Sequence, residues 1–163
     1  MVLVYDVMHW IERFGQIDRK GIGVYSTRKR AESAISSVST KPGFKDSSQN
    51  FRINEVVMDR SYWPSGFDQP GGGKGHAVAA GAVAANPGQT IWQLYMENTS
   101  GLPEDDDDFV LIGYYSSRTK AHLDQLALEP EVAGIGRKYA LNLSISVIDR
   151  VEWSEGFMSG TES

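Results

Sequence analysis

The stretch Ile22-Gly23-Val24-Tyr25-Ser26-Thr27-Arg28 returns later in the chain as Ile112-Gly113-Tyr114-Tyr115-Ser116-Ser117-Arg118, a spacing of 112 − 22 = 90. Working outward at that spacing, Asp59-Arg60 and Trp63-x-x-Gly66-Phe67 fall on Asp149-Arg150 and Trp153-x-x-Gly156-Phe157. Tyr5 falls on Tyr95, Ala31 on Ala121 and Val57 on Val147. Motifs this specific at one common offset read as a tandem duplication. The first repeat is 1–67 and the second 90–157, joined by a Gly/Ala-rich linker at 68–89 and followed by a disordered tail at 158–163. Gly71-Gly72-Gly73 and Gly75 favour a mobile linker, because glycine loses the most backbone freedom on ordering, with a weak helix over Ala77–Ala85, which holds only Ala, Val and one Gly, as the alternative.

Each repeat reads as β-β-α-β. Val2–Trp10 and Ile91–Glu97 are first strands, and Gly21–Tyr25 and Val110–Tyr115 are second strands. Ser26-Thr27 and Ser116-Ser117 then supply hydroxyls that accept from the unpaired N–H groups of a helix start. In the first helix Ala31, Ala34, Ile35 and Val38 form one apolar stripe, and Pro42 bars continuation. The matching positions of the second helix are Ala121, Asp124, Gln125 and Leu128. Leu123, Leu126 and Ala127 suggest a rotated face instead, and Pro130 is expected to end the helix. In the third strand Leu141, Leu143, Ile145 and Val147 alternate with Asn142, Ser144 and Ser146. Its counterpart carries Phe51, Ile53, Glu55 and Val57, so Glu55 takes a core-facing slot, or stands at a sheet edge where that face meets water. The expected fold is α+β: two repeats packed as a pseudo-two-fold domain with about six mostly antiparallel strands and two helices.

The chain has 163 residues, 16 Lys and Arg, 21 Asp and Glu, and no Cys. That is enough chain for a core without disulfides, and the lack of Cys excludes thiolate–zinc sites, iron–sulfur clusters and thiol catalysis. No apolar run is long enough to span a bilayer and no signal peptide is evident, so a cytoplasmic protein is expected. The acidic balance argues against nucleic-acid binding.

Gly23-Val24-Tyr25-Ser26-Thr27, Ala31, Pro42-Gly43-Phe44, Asp59 and Trp63-x-x-Gly66-Phe67 resemble a small bacterial domain of unknown function. The resemblance covers nearly all of the first repeat and the second strand, helix start and terminal motif of the second. There Glu129-Pro130-Glu131 replaces Pro-Gly-Phe. That family is similar to immunity proteins encoded beside polymorphic toxins and type VI secretion effectors. The resemblance implies a binding protein rather than an enzyme.

The candidate partner-binding residues are Glu104, Asp105, Asp106, Asp107 and Asp108, together with Glu55. Five adjacent carboxylates must sit in water or meet cations, and they suit a basic toxin domain. Residues 1–67 carry 10 − 7 = +3, residues 68–89 carry zero and residues 90–163 carry 5 − 13 = −8. One architecture bearing opposite charges favours a single asymmetric partner. His9, His76 and His122 lack metal-ligand spacing, and Gly71–Gly75 departs from a phosphate loop at Lys74-Gly75. Arg28-Lys29-Arg30 reads as a solvated cluster, and Trp63 and Trp153 as aromatic pins on the core. The expected protein is monomeric, uses no cofactor or metal, and contacts neither nucleic acid nor membrane. A small-molecule or regulatory module, or a small enzyme with a site between the repeats, are the alternatives.

Overall fold

The computed structural model describes residues 1–13, 15–64, 66, 81–100, 109–135 and 138–154. The fold is α+β. The first half holds β1 (Val2–Arg13), β2 (Gln16–Tyr25), α1 (Arg28–Val38), the single turn α2 (Pro42–Lys45), a 3-10 turn at Ser48–Asn50 and β3 (Phe51–Val57). The second holds β5 (Thr90–Asn98), β6 (Val110–Tyr115), α3 (Arg118–Ile135) and β7 (Tyr139–Val147), and the two-residue β4 (Val83–Ala84) lies between the halves. Two sheets result, β2-β1-β3 and β6-β5-β7, antiparallel throughout except that β4 runs parallel to Val2 and Leu3 of β1. Residues 81–89, assigned to the linker by composition, therefore include an ordered pairing, and Ala85 is buried between the sheets. Residues 67–80 and the tail at 158–163 lie outside the described residues.

Alternation along the strands sorts side chains to two faces. Val4, Met8, Val24 and Val56 of the first sheet meet Ile91, Leu111 and Tyr114 of the second in one core between the sheets. Val7, Ile22 and Phe51 face α1, whose Ala31, Ala34 and Val38 are buried. Leu94, Met96 and Ile112 face α3. The layers run helix, sheet, sheet, helix.

The repeat spacing is not uniform. Leu3 pairs with Val57 and Tyr5 with Tyr25, whereas Thr90 pairs with Val147 and Trp92 with Tyr115. Val57 and Tyr25 match their counterparts at 90, but the first strands match at 87 (90 − 3 and 92 − 5). Tyr5 thus corresponds to Trp92, not to Tyr95 as the constant offset suggested. The register breaks, at Val7/Met8 and Leu94/Tyr95, also match at 87. The three additional residues of the second half fall in its hairpin connection, between Asn98 and Val110.

The second helix departs from expectation twice. It does not rotate: Ala121, Leu128 and Val132 face the sheet, while Leu123 is 62% exposed. The polar stripe positions are satisfied where they stand, Asp124 by the Tyr115 hydroxyl and Gln125 by donating to the Leu141 carbonyl at 3.0 Å. Nor does Pro130 end the helix. Pro130 lies on the water side, so the carbonyl its missing N–H strands, that of Leu126, can be hydrated, and the following turn buries Val132. In the first half Pro42-Gly43-Phe44 fills this space, with Phe44 fully buried.

Candidate functional site

After each third strand the chain leaves its own sheet for the other half. The Asp59 N–H donates to the Tyr114 carbonyl and the Tyr62 N–H to the Ile112 carbonyl, both at 2.8 Å. Reciprocally, Asp149 N–H donates to Val24 and Glu152 N–H to Ile22, again at 2.8 Å. Each sheet therefore gains its outermost segment from the opposite half. A side chain on Gly113 would place Cβ 2.7 Å from the Arg60 carbonyl oxygen, and one on Gly23 would strike that of Arg150. This close approach accounts for glycine in the repeated Ile-Gly-x-Tyr-Ser motif.

The two aspartates adopt positive φ, 59° and 66°, a region that aspartate tolerates better than most residues. The turn aims Asp149 at the start of α1, where it accepts from Ser26 N (2.9 Å) and Ser26 Oγ (2.7 Å). Asp59 does the same at the start of α3, accepting from Ser116 N (2.8 Å) and Ser116 Oγ (2.8 Å). Arg30 stands 3.7 Å from Asp149, and Lys120 Nζ lies 2.6 Å from Asp59. Partial burial alone would raise the Asp59 carboxyl; the bonds from Lys120 and Ser116 outweigh it and hold the group below the usual carboxylate value. Thr27 and Ser117 supply the helix-start hydroxyls, to Arg30 N at 3.2 Å and Lys120 N at 3.3 Å. The tryptophans cross as well: Trp153 meets Phe44 with centroids 5.3 Å apart, while Trp63 packs beside α3 and donates to Glu131 at 2.6 Å. They pin the opposite half rather than their own.

Of the candidate partner-binding residues, only Glu55 is described. Its side chain is 31% exposed and accepts from Arg28 at 2.5 Å, and the Arg28 guanidinium sits 5.7 Å from the Tyr5 ring centre. The equivalent station in the second half has Arg118 5.6 Å from the Trp92 ring centre, with Ile145 in place of Glu55. Ile145 is 60% exposed, so this slot faces solvent and is not core-facing; an ionised Glu55 there needs no burial. Among the described residues Arg118 has no carboxylate partner. Glu104, Asp105, Asp106, Asp107 and Asp108 lie outside the described residues. Beside them Phe109 is described: its carbonyl accepts from Arg19 of the first half at 2.8 Å, and its ring stacks 4.9 Å from Tyr95.

His9 is fully buried between Phe44 and Phe51 and its Nε2 lies 2.9 Å from the Ser47 carbonyl. Burial lowers its pKa, against a smaller opposite effect of that carbonyl. Burial chiefly, with the charges of Glu152 and Asp149, pushes the Tyr25 hydroxyl up to about 12. Asp6, buried between the sheets, accepts from Tyr114 of the second half (2.9 Å) and from Asn54 (3.1 Å). No group of three or more His, Asp or Glu suited to a metal ion occurs among the described residues. Nor is any helix there long and apolar enough to cross a membrane.

Sequence reasoning picked out Asp59 and Asp149 as repeated residues but missed their capping across halves. The signal was an aspartate before arginine, a fixed distance ahead of Trp-x-x-Gly-Phe, with no alternation to make it part of a strand. It also missed the Arg118, Trp92 and Ile145 station. No protein-family model, curated protein or solved structure matches the chain.

Proposed function

We propose that this chain is a non-catalytic binding protein of the immunity type, which neutralises a bacterial toxin or effector domain by direct contact. The observation that carries the reading is one β-β-α-β plan bearing unlike surfaces: net +3 on residues 1–67 and −8 on residues 90–163. The Arg28–Glu55 station and its Arg118–Ile145 counterpart also differ, an ion pair in one half and an arginine beside an apolar side chain in the other. Divergent surfaces on a shared scaffold suit one asymmetric partner. The Asp59 and Asp149 carboxylates are meanwhile engaged in holding helix starts. The motif resemblance supports the immunity class, with action in the cytoplasm. Glu104–Asp108 is the proposed contact for a basic partner, with Glu55 as a second anionic contact.

The test uses the toxin or effector domain encoded beside this gene. Co-expression should restore growth to cells producing that domain. Changing Asp105 through Asp108 together to Asn should slow association and weaken its salt dependence, because steering between exposed charges is screened over about 8–10 Å at physiological salt. Unchanged association rates at low and high salt would remove the acidic run from the interface. Absence of both rescue and binding would refute the immunity reading.

A further inference from the structure

We propose that the outer edge of β7 is where two copies of this chain associate, strand against strand. Strand β7 ends its sheet, and among the described residues no strand pairs its outer side. The register shows which backbone groups face outward. The carbonyls of Tyr114 and Ile112 point to the segment from the first half, so Tyr115 and Gly113 bond to Trp92 and Leu94. Residues Ile91, Gln93 and Tyr95 then bond to Ser146, Ser144 and Asn142. That leaves the N–H and C=O groups of Leu143 and Ile145 directed away from the sheet, with the Leu141 carbonyl held by Gln125.

The strand itself carries none of the usual sequence protections of an edge. Tyr139–Val147 is nine residues long, contains no charge and no proline, and pairs with β5 without a break in register. Uncharged, regular edges of this kind recruit another strand. The matching edge, β3, carries Arg52 and Glu55, with Arg28 bound to Glu55 over it. Helix α3 leans over β7, and Leu126 on its outer side is 47% exposed.

Complementarity names the occupant. An antiparallel pairing of β7 with itself about Leu143 sets Leu141 opposite Ile145 and Asn142 opposite Ser144, apolar on apolar and polar on polar. The same operation on β3 about Ile53 would set Phe51 against Glu55. Two α3 helices then run antiparallel side by side. Arg118, Gln125 and Glu129 share one side of α3, the side that Gln125 turns to the Leu141 carbonyl of β7, so polar side chains line the flank that would approach the other copy. The contact is isologous and closes as a dimer.

Sedimentation of the full chain over a micromolar concentration series should show a monomer–dimer equilibrium. Ile145→Glu, which gives this slot the residue its sister slot already carries, should keep the fold and raise the dimer dissociation constant at least about tenfold, since pairing would set a carboxylate opposite the Leu141 of the other copy and desolvate the ion pair that it can form with Arg118. Amide exchange at Leu143 and Ile145 should slow as concentration rises. A chain monomeric throughout, its edge left for another protein's strand, would overturn the proposal, as would a dimer indifferent to Ile145→Glu. Should Ile145→Glu fail to fold, exchange in the unaltered chain decides: fast exchange at these two amides in the dimer also overturns it.

Discussion

Gly23 and Gly113 carry the tightest constraint at the scale of single residues, because the backbone of the opposite half occupies the space a side chain would need. Neither contact can relax by a rotamer change, since the obstructing atoms are backbone carbonyls. Gly23→Ala and Gly113→Ala should each lower stability by about 1–3 kcal/mol, the usual range for overpacking. Denaturant midpoints should fall for both variants, further for Gly23→Ala, because Gly23 also has a φ of 155° that side chains rarely adopt, and an unshifted midpoint for either would contradict the close approach. His9 gives a second test. Its folded pKa lies below the ordinary 6.5, so the unfolded chain takes up a proton first as the solution is acidified. This contribution to stability is complete above 6.5 and is lost as pH falls from there to the folded value. His9→Gln lacks the titration, so the stability gap between the unaltered chain and the variant should narrow on acidification. A gap independent of pH would show that His9 does not titrate differently on folding.

At the scale of elements, each helix is set by three inputs: its own apolar stripe, a cap from its own sequence, and an aspartate and tryptophan from the other half. Trp153 lies against Phe44 under α1, not against its own helix. Trp153→Ala should therefore cost about 2–4 kcal/mol, somewhat below full burial because the ring is only half-buried. The loss should appear first as faster amide exchange in α1 and α2. Exchange accelerated in α3 alone would mean that the tryptophan serves its own half. The helices also show how local rules yield to packing. Asp124 and Gln125 interrupt the stripe of α3, yet the helix keeps the orientation of α1, because both polar groups find partners and Leu128 and Val132 gain burial.

At the scale of the whole molecule, the halves depend on one another. Each sheet takes an outer segment from the other half, and the central core draws Val4, Met8 and Val56 from one side and Ile91, Leu111 and Ile148 from the other. A half of this size is marginal by itself and here would also expose one face of its sheet. Residues 1–80 and 81–163 produced separately should each lack dispersed amide resonances, and mixing should restore them. A folded, monomeric first fragment would show that the exchange of segments is not required. The same interdependence explains how the two halves can differ in charge without losing their fold: the shared contacts lie between the sheets and at the helix starts, while the Glu55 and Ile145 slot faces outward.

The β-β-α-β order of each half, the helix starts at Thr27 and Ser117 and the extent of β7 were legible in the residues alone, but the expected burial along β7 was not met at its end, where Ile145 is exposed and Ser146 buried. These depend on periodicity and on neighbours a few positions away. The exchange between halves was not legible, because duplication makes it degenerate: Asp59 could serve Ser26 or Ser116, and both motifs read the same. The three-residue slip of the first strand was hidden for a related reason, since the chance match of Tyr5 to Tyr95 supported a constant offset, and only pairing with β6 and β7 places Trp92 there. Exposure of the Glu55 and Ile145 slot likewise follows from how far each helix extends over its sheet. Such features are settled by contacts distant in sequence, where the burial of a whole sheet face outweighs any single residue's preference.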